Sequence, residues 1–376
     1  VSRNTDPAAG TGGDPLLRAT GLRKHFPVDE GFFSQMFGEP ARLKAVDGVD
    51  LSVRPRETVG LVGESGCGKS TLGRLLARLY EPTEGTVEFD GEDVTAFTGD
   101  QRRRLRRNVQ YVFQDPLSSL NPRKTVGEIV RKPLEVHGAP NGTTPDERVR
   151  ELFEEVGLGT SYRTRYPHEL SGGQQQRVGI ARALAVEPRL IVADEPVSAL
   201  DVSVQSQIIN LMKRVQQEYD LSYVFIAHDL SVVNHISDRI AVMYLGEVVE
   251  EAPTAELFGS PQHPYTRALL ASVPRIDSPH DGTRSPLEGS PPSPIDPPSG
   301  CSFRTRCPEY IGEACDVHEP SLRDVTSATE PTDWTANSEA DASLDTHRVA
   351  CHWLDRPDEN RPTETPLRGS RTDKNE

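Results

Sequence analysis

One octapeptide, Gly63-Glu-Ser-Gly-Cys-Gly-Lys-Ser70, constrains this chain more than any other feature. It fits G-x-x-x-x-G-K-[ST] and stands between an apolar run at 58–62 and a leucine-striped segment. Its glycines let backbone N–H groups wrap phosphate oxygens, and the helix that follows adds a favourable dipole at its N-terminus. Gly63, Glu64, Ser65, Gly66, Cys67, Gly68, Lys69, Ser70 and Thr71 are therefore the candidate cradle. Lys69 would reach the β- and γ-phosphates of a nucleotide, and the Ser70 hydroxyl would hold Mg²⁺. Leu72, Leu75, Leu76 and Leu79 recur at helical spacing, which predicts an amphipathic helix pressed on a sheet.

The sheet itself is written in short, nearly continuous apolar runs at 58–62, 109–113, 190–193 and 223–227. Strands of that character suit a sheet covered on both faces, and their alternation with helical patterns predicts an α/β domain over about 16–258. Between about 115 and 166 the chain turns to charged helical stretches such as 146–156, the expectation for an inserted helical subdomain. Residues 1–15 and 355–376 read as disordered tails. A segment with six prolines at 285–298 reads as an extended linker inside a C-terminal extension, 259–354, that carries four cysteines. No internal repeat occurs.

With 376 residues the chain has room for two to three domains. Its 57 acidic against 42 basic residues, net −15, argue against nucleic acid or an anionic membrane surface as the main partner. Only seven of the 42 basic residues are Lys. An acidic, Lys-poor composition resembles that of proteins from salt-loving organisms, and a GC-rich genome would give the same preference for Arg. No run of 18 apolar residues and no apolar core of the signal-peptide type is present, so the expectation is a cytoplasmic chain docked on a membrane protein.

A second apolar run, Leu190-Ile-Val-Ala-Asp194-Glu195, ends in two carboxylates. Side chains alternate along an extended segment, so the two would project differently. Asp194 could then hold Mg²⁺ through water while Glu195 faces an attacking water as general base. Between the two motifs lies Leu170-Ser-Gly-Gly-Gln174, in which two glycines and a serine open a helix and so make another anion-binding N-terminus.

LSGGQ, with the phosphate loop before it and Asp194-Glu195 after it, resembles the nucleotide-binding subunit of an ATP-binding cassette (ABC) transporter. Further positions match in order: Gln114 after the 109–113 run, Ser198-Ala-Leu-Asp201 after Glu195, and His228 after the 223–227 run. Phe26 in Arg23-Lys-His-Phe matches the aromatic that stacks on adenine. The resemblance implies a P-loop NTPase fold of α/β class, with a RecA-like core, a helical subdomain and an antiparallel β subdomain. It implies ATP and Mg²⁺ as ligands, with Gln114 touching Mg²⁺ and His228 holding the γ-phosphate. It also implies a second ABC ATPase subunit, identical or paralogous, packed head to tail so that Ser171, Gly172, Gly173 and Gln174 of one cover the γ-phosphate on the other. Asp201 belongs to the same interface.

Two stretches narrow the resemblance to the di- and oligopeptide importer ATPases: Gln114-Asp-Pro-Leu-Ser-Ser-Leu-Asn-Pro-Arg123 and Ser260-Pro-Gln-His-Pro-Tyr-Thr-Arg-Ala-Leu-Leu270. Two integral membrane permeases and an extracellular solute-binding protein are then implied partners. Nickel or oligosaccharide remain open as cargo, and a soluble non-transport ABC ATPase is the rival class. Pro264 can start a helix from which Tyr265, Leu269, Leu270 and Val273 could pack on the cassette. The apolar insert 31–37 would cover the cassette's flank or touch a permease.

Cys67 lies within the phosphate loop, where its size rather than its thiol matters. Cys301, Cys307, Cys315 and Cys351 follow the proline-rich segment. In a reducing compartment four clustered cysteines suit ligands better than disulfides. Their spacing is wider than the paired C-x-x-C of zinc ribbons. Peptide-importer ATPases with such a tail resemble proteins that carry a [4Fe–4S] cluster, which makes that cluster the expectation; zinc and plain thiols are the alternatives. His318, His347 and His352 beside them read as ordinary polar residues.

Overall fold

The computed structural model describes residues 14–28, 41–272, 289–325 and 346–355. The apolar insert expected at 31–37, Val273 and nearly all of both tails lie outside them. The chain divides into two units, Val1–Val248 with Ser293–Asp296, and Val249–Pro292 with Pro297–Glu376.

In the first unit, β1 (Leu17–Pro27) and β2 (Arg42–Val53) precede β3 (Thr58–Val62) and α1 (Lys69–Leu76). Next come β4 (Glu84–Phe89), β5 (Glu92–Asp93), α2 (Gly99–Asn108) and β6 (Val109–Val112). A helical stretch follows with α3 (Pro116–Ser119), α4 (Val126–His137), α5 (Pro145–Glu155) and α6 (Gly172–Leu184). The chain then returns through β7 (Leu190–Asp194), α7 (Val202–Tyr219), β8 (Ser222–Ile226), α8 (Leu230–Ile236) and β9 (Arg239–Tyr244).

Five of these strands pair in the order β9-β3-β8-β7-β6, and each of the four pairings is parallel. β3, β7, β8 and β9 are buried at every position, as a sheet sandwiched between helices requires. Parallel pairing has a functional consequence: the chain leaves β3, β6, β7 and β8 at the same edge, so the loops after them converge. β1, β2, β4 and β5 form a separate antiparallel sheet, ordered β2-β1-β4-β5.

Within the helical stretch the starts are set by sequence. Thr125 and Glu128 at α4, Thr144 and Glu147 at α5, and Ser171 and Gln174 at α6 each form a reciprocal capping box. The leucine stripe of α1 is shorter than its spacing predicts. Leu72, Leu75 and Leu76 are buried, whereas Leu79 is 41% exposed. The helix ends at Leu76, and Arg78 turns the chain with φ of 53°, which takes Leu79 off the stripe.

The described part of the proline-rich segment, 289–298, holds no helix or strand and bends at 294–296. Four of its residues, Ser293–Asp296, belong to the first unit, where the Pro294 carbonyl accepts from Lys44 N at 3.1 Å.

The second unit holds most of β10 (Glu247–Pro253), then α9 (Thr254–Gly259), α10 (Pro264–Ala271) and α11 (Glu313–Val317). β11 (Arg323–Asp324) and β12 (Arg348–Val349) complete it, and β12 pairs antiparallel with both β10 and β11. Pro264 does start a helix, and its Tyr265 is fully buried with Phe303 of the same unit at 5.4 Å. His347 and His352 are buried rather than surface-polar: His347 Nε2 meets Glu250 Oε1 at 2.6 Å and His352 Nε2 meets the His318 carbonyl at 2.8 Å.

His263 caps α10 with its ring: Nδ1 accepts from Tyr265 N at 3.1 Å, and the ring also bonds the backbone of Ala350. Burial lowers its pKa from 6.5 to about 4. Between those values the unfolded chain takes up a proton that the folded unit excludes, so stability is full above about pH 6.5 and falls as pH drops toward 4. The loss attributable to this ring is about 3 kcal/mol. Urea unfolding at pH 7 and pH 4.5 should show His263→Asn, which keeps a capping side chain, losing less on acidification than the parent; equal losses would refute the assignment.

Candidate nucleotide site

The loop between β3 and α1 is shaped by backbone that side chains cannot share. Gly68, at the N-cap of α1, has φ of 105°, and a Cβ there would stand 2.0 Å from the Ala45 carbonyl oxygen. Lys69 Nζ donates to the carbonyls of Gly63 and Glu64, both at 2.8 Å, which holds the ammonium over the loop. Cys67 is buried beneath it, and burial raises its thiol pKa despite the neighbouring Lys69 charge. The thiol thus fills space as a neutral group, in line with the sequence reading.

Asp194 ends β7 and is 1% exposed. Its two oxygens are taken from opposite sides: Ser70 Oγ donates to Oδ1 at 2.8 Å and Tyr111 Oη donates to Oδ2 at 2.7 Å. A part-buried hydroxyl of the phosphate loop beside a buried carboxylate at the end of β7 supplies the hard oxygen donors that Mg²⁺ prefers. Burial, reinforced by the Asp194 charge, holds the Tyr111 pKa far above its ordinary value, so the phenol is always a donor.

Glu195 comes next and points elsewhere, because its φ of 43° breaks the strand geometry while its N–H still bonds the Ile226 carbonyl at 3.0 Å. Its Oε2 receives Gln114 Nε2 at 2.9 Å and faces His228 Nδ1 at 3.3 Å. A small cleft lined by Glu195, Ser198, Gln205 and His228 opens here. Ser198 Oγ donates to the Glu195 carbonyl at 3.1 Å, tying the following loop to the strand end.

The sequence candidates therefore fall into groups. The phosphate loop and Asp194 are joined by a hydrogen bond, and Gln114, Glu195 and His228 are joined by two more. The contacts of the LSGGQ segment run elsewhere: Ser171 and Gln174 bond each other, Gln174 Nε2 reaches Tyr162 Oη at 3.3 Å, and Gly172 and Gly173 lie against Leu200 and Val204. Asp201 is the N-cap position of α7 without a side-chain capping bond. Phe26 is half-buried, edge-on to Tyr80 at 6.0 Å and under Lys24 Nζ at 5.2 Å. Tyr111 was not among the sequence candidates. The signal was available in one place only: a polar-tipped aromatic within an apolar run that has to lie beside the 190–195 strand.

None of the four cysteines of the extension forms a disulfide among the described residues. Burial pushes Cys307 and Cys351 up to about 12, with Cys301 adding to both, Cys315 to the first and Cys307 to the second. They are thus electrostatic neighbours. Among the described residues, however, no group of three or more His, Cys, Asp and Glu is arranged to hold a metal ion. The expected cluster site is not assembled as such: the long spacings bring Cys301, Cys307, Cys315 and Cys351 near one another without closing a ligand cage.

A glycine-cradled loop, an adjacent carboxylate and a Gln-Glu-His set at the edge of one parallel sheet define a P-loop ATPase of the cassette type. The ABC transporter family profile matches residues 46–198, and that of the oligopeptide/dipeptide transporter C-terminal region matches 249–315. AppF of Bacillus subtilis, an oligopeptide transport ATP-binding protein, is 52% identical over 342 residues, 90% of this chain and 97% of its own. DppF of Haemophilus influenzae, a dipeptide transport ATP-binding protein, is 47% identical over 83% of this chain and 94% of its own. Among solved structures, the ATP-binding cassette MJ0796, dimeric in a post-hydrolysis state with ADP and Pi, is similar with a TM-score of 0.56. It is 31% identical and covers 64% of this chain and 99% of its own. The chain belongs to the ABC transporter ATPase family, with ATP and Mg²⁺ as its ligands.

Tyr111→Phe removes one of the two donors on Asp194 and leaves a buried carboxylate oxygen unpaired. The expected result is a roughly tenfold rise in the Mg²⁺ needed for half-maximal ATP hydrolysis, from about 1.5 kcal/mol of lost positioning. A variant that only melts earlier, with its Mg²⁺ dependence unchanged, would show that the tyrosine merely packs.

Proposed function

We propose that this chain is the ATP-hydrolysing subunit of a membrane importer for dipeptides or oligopeptides. The observation that carries the reading is the convergence of Ser70, Asp194, Gln114, Glu195 and His228 at one sheet edge, in a chain whose extension matches the peptide-transporter C-terminal region. The relatives with this pairing of segments are peptide transport ATP-binding proteins. In this reading the ATPase domain spans 16–258, with its helical subdomain near 115–166, and the extension spans 259–354.

The loop from Gly63 to Thr71 wraps the phosphates, Lys69 neutralises the β- and γ-oxygens, and Phe26 stacks on the adenine. Mg²⁺, when bound, neutralises charge on the phosphates, held by Ser70, with Asp194 through water and Gln114. Glu195 takes the proton of the attacking water, and His228 orients the γ-phosphate. Ser171, Gly172, Gly173, Gln174 and Asp201 serve the nucleotide on a second cassette, identical or paralogous. Two permeases and an extracellular binding protein complete the assembly, and the chain sits on the cytoplasmic face of the membrane. No helix of the described residues is long and apolar enough to cross a membrane.

The same reading gives Cys301, Cys307, Cys315 and Cys351 a structural [4Fe–4S] cluster, with zinc as the alternative. Four neighbouring cysteines without a disulfide are the donor chemistry such a cluster needs. It also assigns the acidic, Lys-poor surface to a salt-rich setting.

The test is peptide uptake by vesicles containing the chain and its permeases, with ATP inside. Glu195→Gln should keep ATP binding and abolish hydrolysis and uptake together, by about a thousandfold. Near-normal turnover would remove the base assignment, and ATP hydrolysis that responds to nickel or oligosaccharide but not peptide would reassign the cargo. Iron and acid-labile sulfide in anaerobically purified protein decide the cluster; bound zinc without either would replace it.

A further inference from the structure

Some arginines of this acidic chain sit on carboxylates: Arg148 reaches Glu151 and Glu155, and Arg239 holds Glu57 at 2.8 Å in the interior. In α2, among the described residues, only Arg102 has such a partner, Glu81 at 3.1 Å. The sequence of α2, Gly-Asp-Gln-Arg-Arg-Arg-Leu-Arg-Arg-Asn, sets five arginines against one aspartate. Among the described residues, Arg103, Arg104, Arg106 and Arg107 make no ion pair, and all four are exposed.

Helical geometry gathers these four. At about 100° per residue, Arg106, Arg103, Arg107 and Arg104 cover an arc of roughly 160°, and Leu105 lies opposite its centre. Leu105 is the one buried residue of the helix, so the arginine arc faces solvent. The guanidinium of Arg103 donates to the Val136 carbonyl at the end of α4. His137 next to it is held below its usual pKa by burial and by the charges of Arg103, Arg107 and Arg106, so it stays neutral and brings no competing cation.

We propose that this face of α2 contacts the anionic headgroups of the bilayer surface. The inference rests on the reading of the chain as a membrane transporter subunit. Guanidinium groups match phosphate bidentately, and Arg104, Arg106 and Arg107 give up no ion pair of the described residues when they do so. The net charge of −15 disfavours such a surface for the molecule as a whole. Screening limits each charge to about 8 Å at physiological salt, so a convex helix face presents its own sign to a plane. α2 ends at Asn108, and β6 begins at the next residue and carries Tyr111. A headgroup contact would thus hold the strand that leads into the Gln114 loop.

Flotation of the full chain with vesicles of phosphatidylcholine alone, or with about a third phosphatidylglycerol, tests this. The parent should bind only the anionic vesicles, less so as salt rises. Arg104→Gln/Arg106→Gln/Arg107→Gln should bind about 100-fold more weakly, at about fivefold per arginine. Equal binding by parent and variant, or no preference for the anionic vesicles, overturns the proposal. So does displacement by inorganic phosphate at matched concentration, which would make the face a small-anion site. Tighter retention of duplex DNA, lost in the variant, would replace it with a nucleic-acid contact. Basal ATP hydrolysis in the same samples should match between parent and variant. Its absence from the parent would count against the proposed function and leave the lipid result standing.

Discussion

The structure of the site depends on Asp194 being held from two sides. Ser70 brings the phosphate loop and α1 to one oxygen, and Tyr111 brings β6 to the other. Two segments far apart in sequence are thereby pinned to one buried carboxylate at the end of β7. A charge so deeply buried is tolerable only with such donors, and each donor's position is meaningful only because the charge is there. The parallel register of β3, β8, β7 and β6 supplies the rest, since it delivers the remaining polar groups to the same edge.

Glu195 illustrates how one residue step separates two duties. The strand continues through Asp194, which stays in the interior, and the next residue adopts a left-handed conformation that sends its carboxylate to Gln114 and His228. Alternation along a strand predicts that the two side chains diverge. It does not predict the backbone turn, which comes from Glu195 N–H keeping its bond to β8 while the chain departs.

The parallel strands were legible in the sequence because full burial leaves apolar runs, and 58–62 matches β3 to the residue. The phosphate loop was legible for a different reason: it is a local motif whose spacing is fixed by one turn of backbone. What escaped was set by distant partners. Tyr111 acquires its role from a strand some eighty positions later, and Leu79 loses its place on the stripe to a turn at Arg78. His347 read as an ordinary polar residue because nothing local announces Glu250, its buried partner on β10. The cysteines differ again: a clear sequence cluster corresponds to neighbouring thiols that, among the described residues, form no group arranged to hold a metal ion.

The two glycines of the LSGGQ segment have a further meaning. A Cβ on Gly173 would stand 2.5 Å from Val204 Cγ1, and one on Gly172 would stand 3.3 Å from Leu200 Cδ2. The backbone of the first turn of α6 therefore lies directly against the Leu200 and Val204 side chains at the start of α7, and α7 is reached directly from Glu195 through the loop that Ser198 ties down. In mechanical terms the signature turn and the loop behind Glu195 behave as one part. A side chain added at 173 would have to be matched by a smaller one at 204, so those two positions carry a single degree of freedom between them.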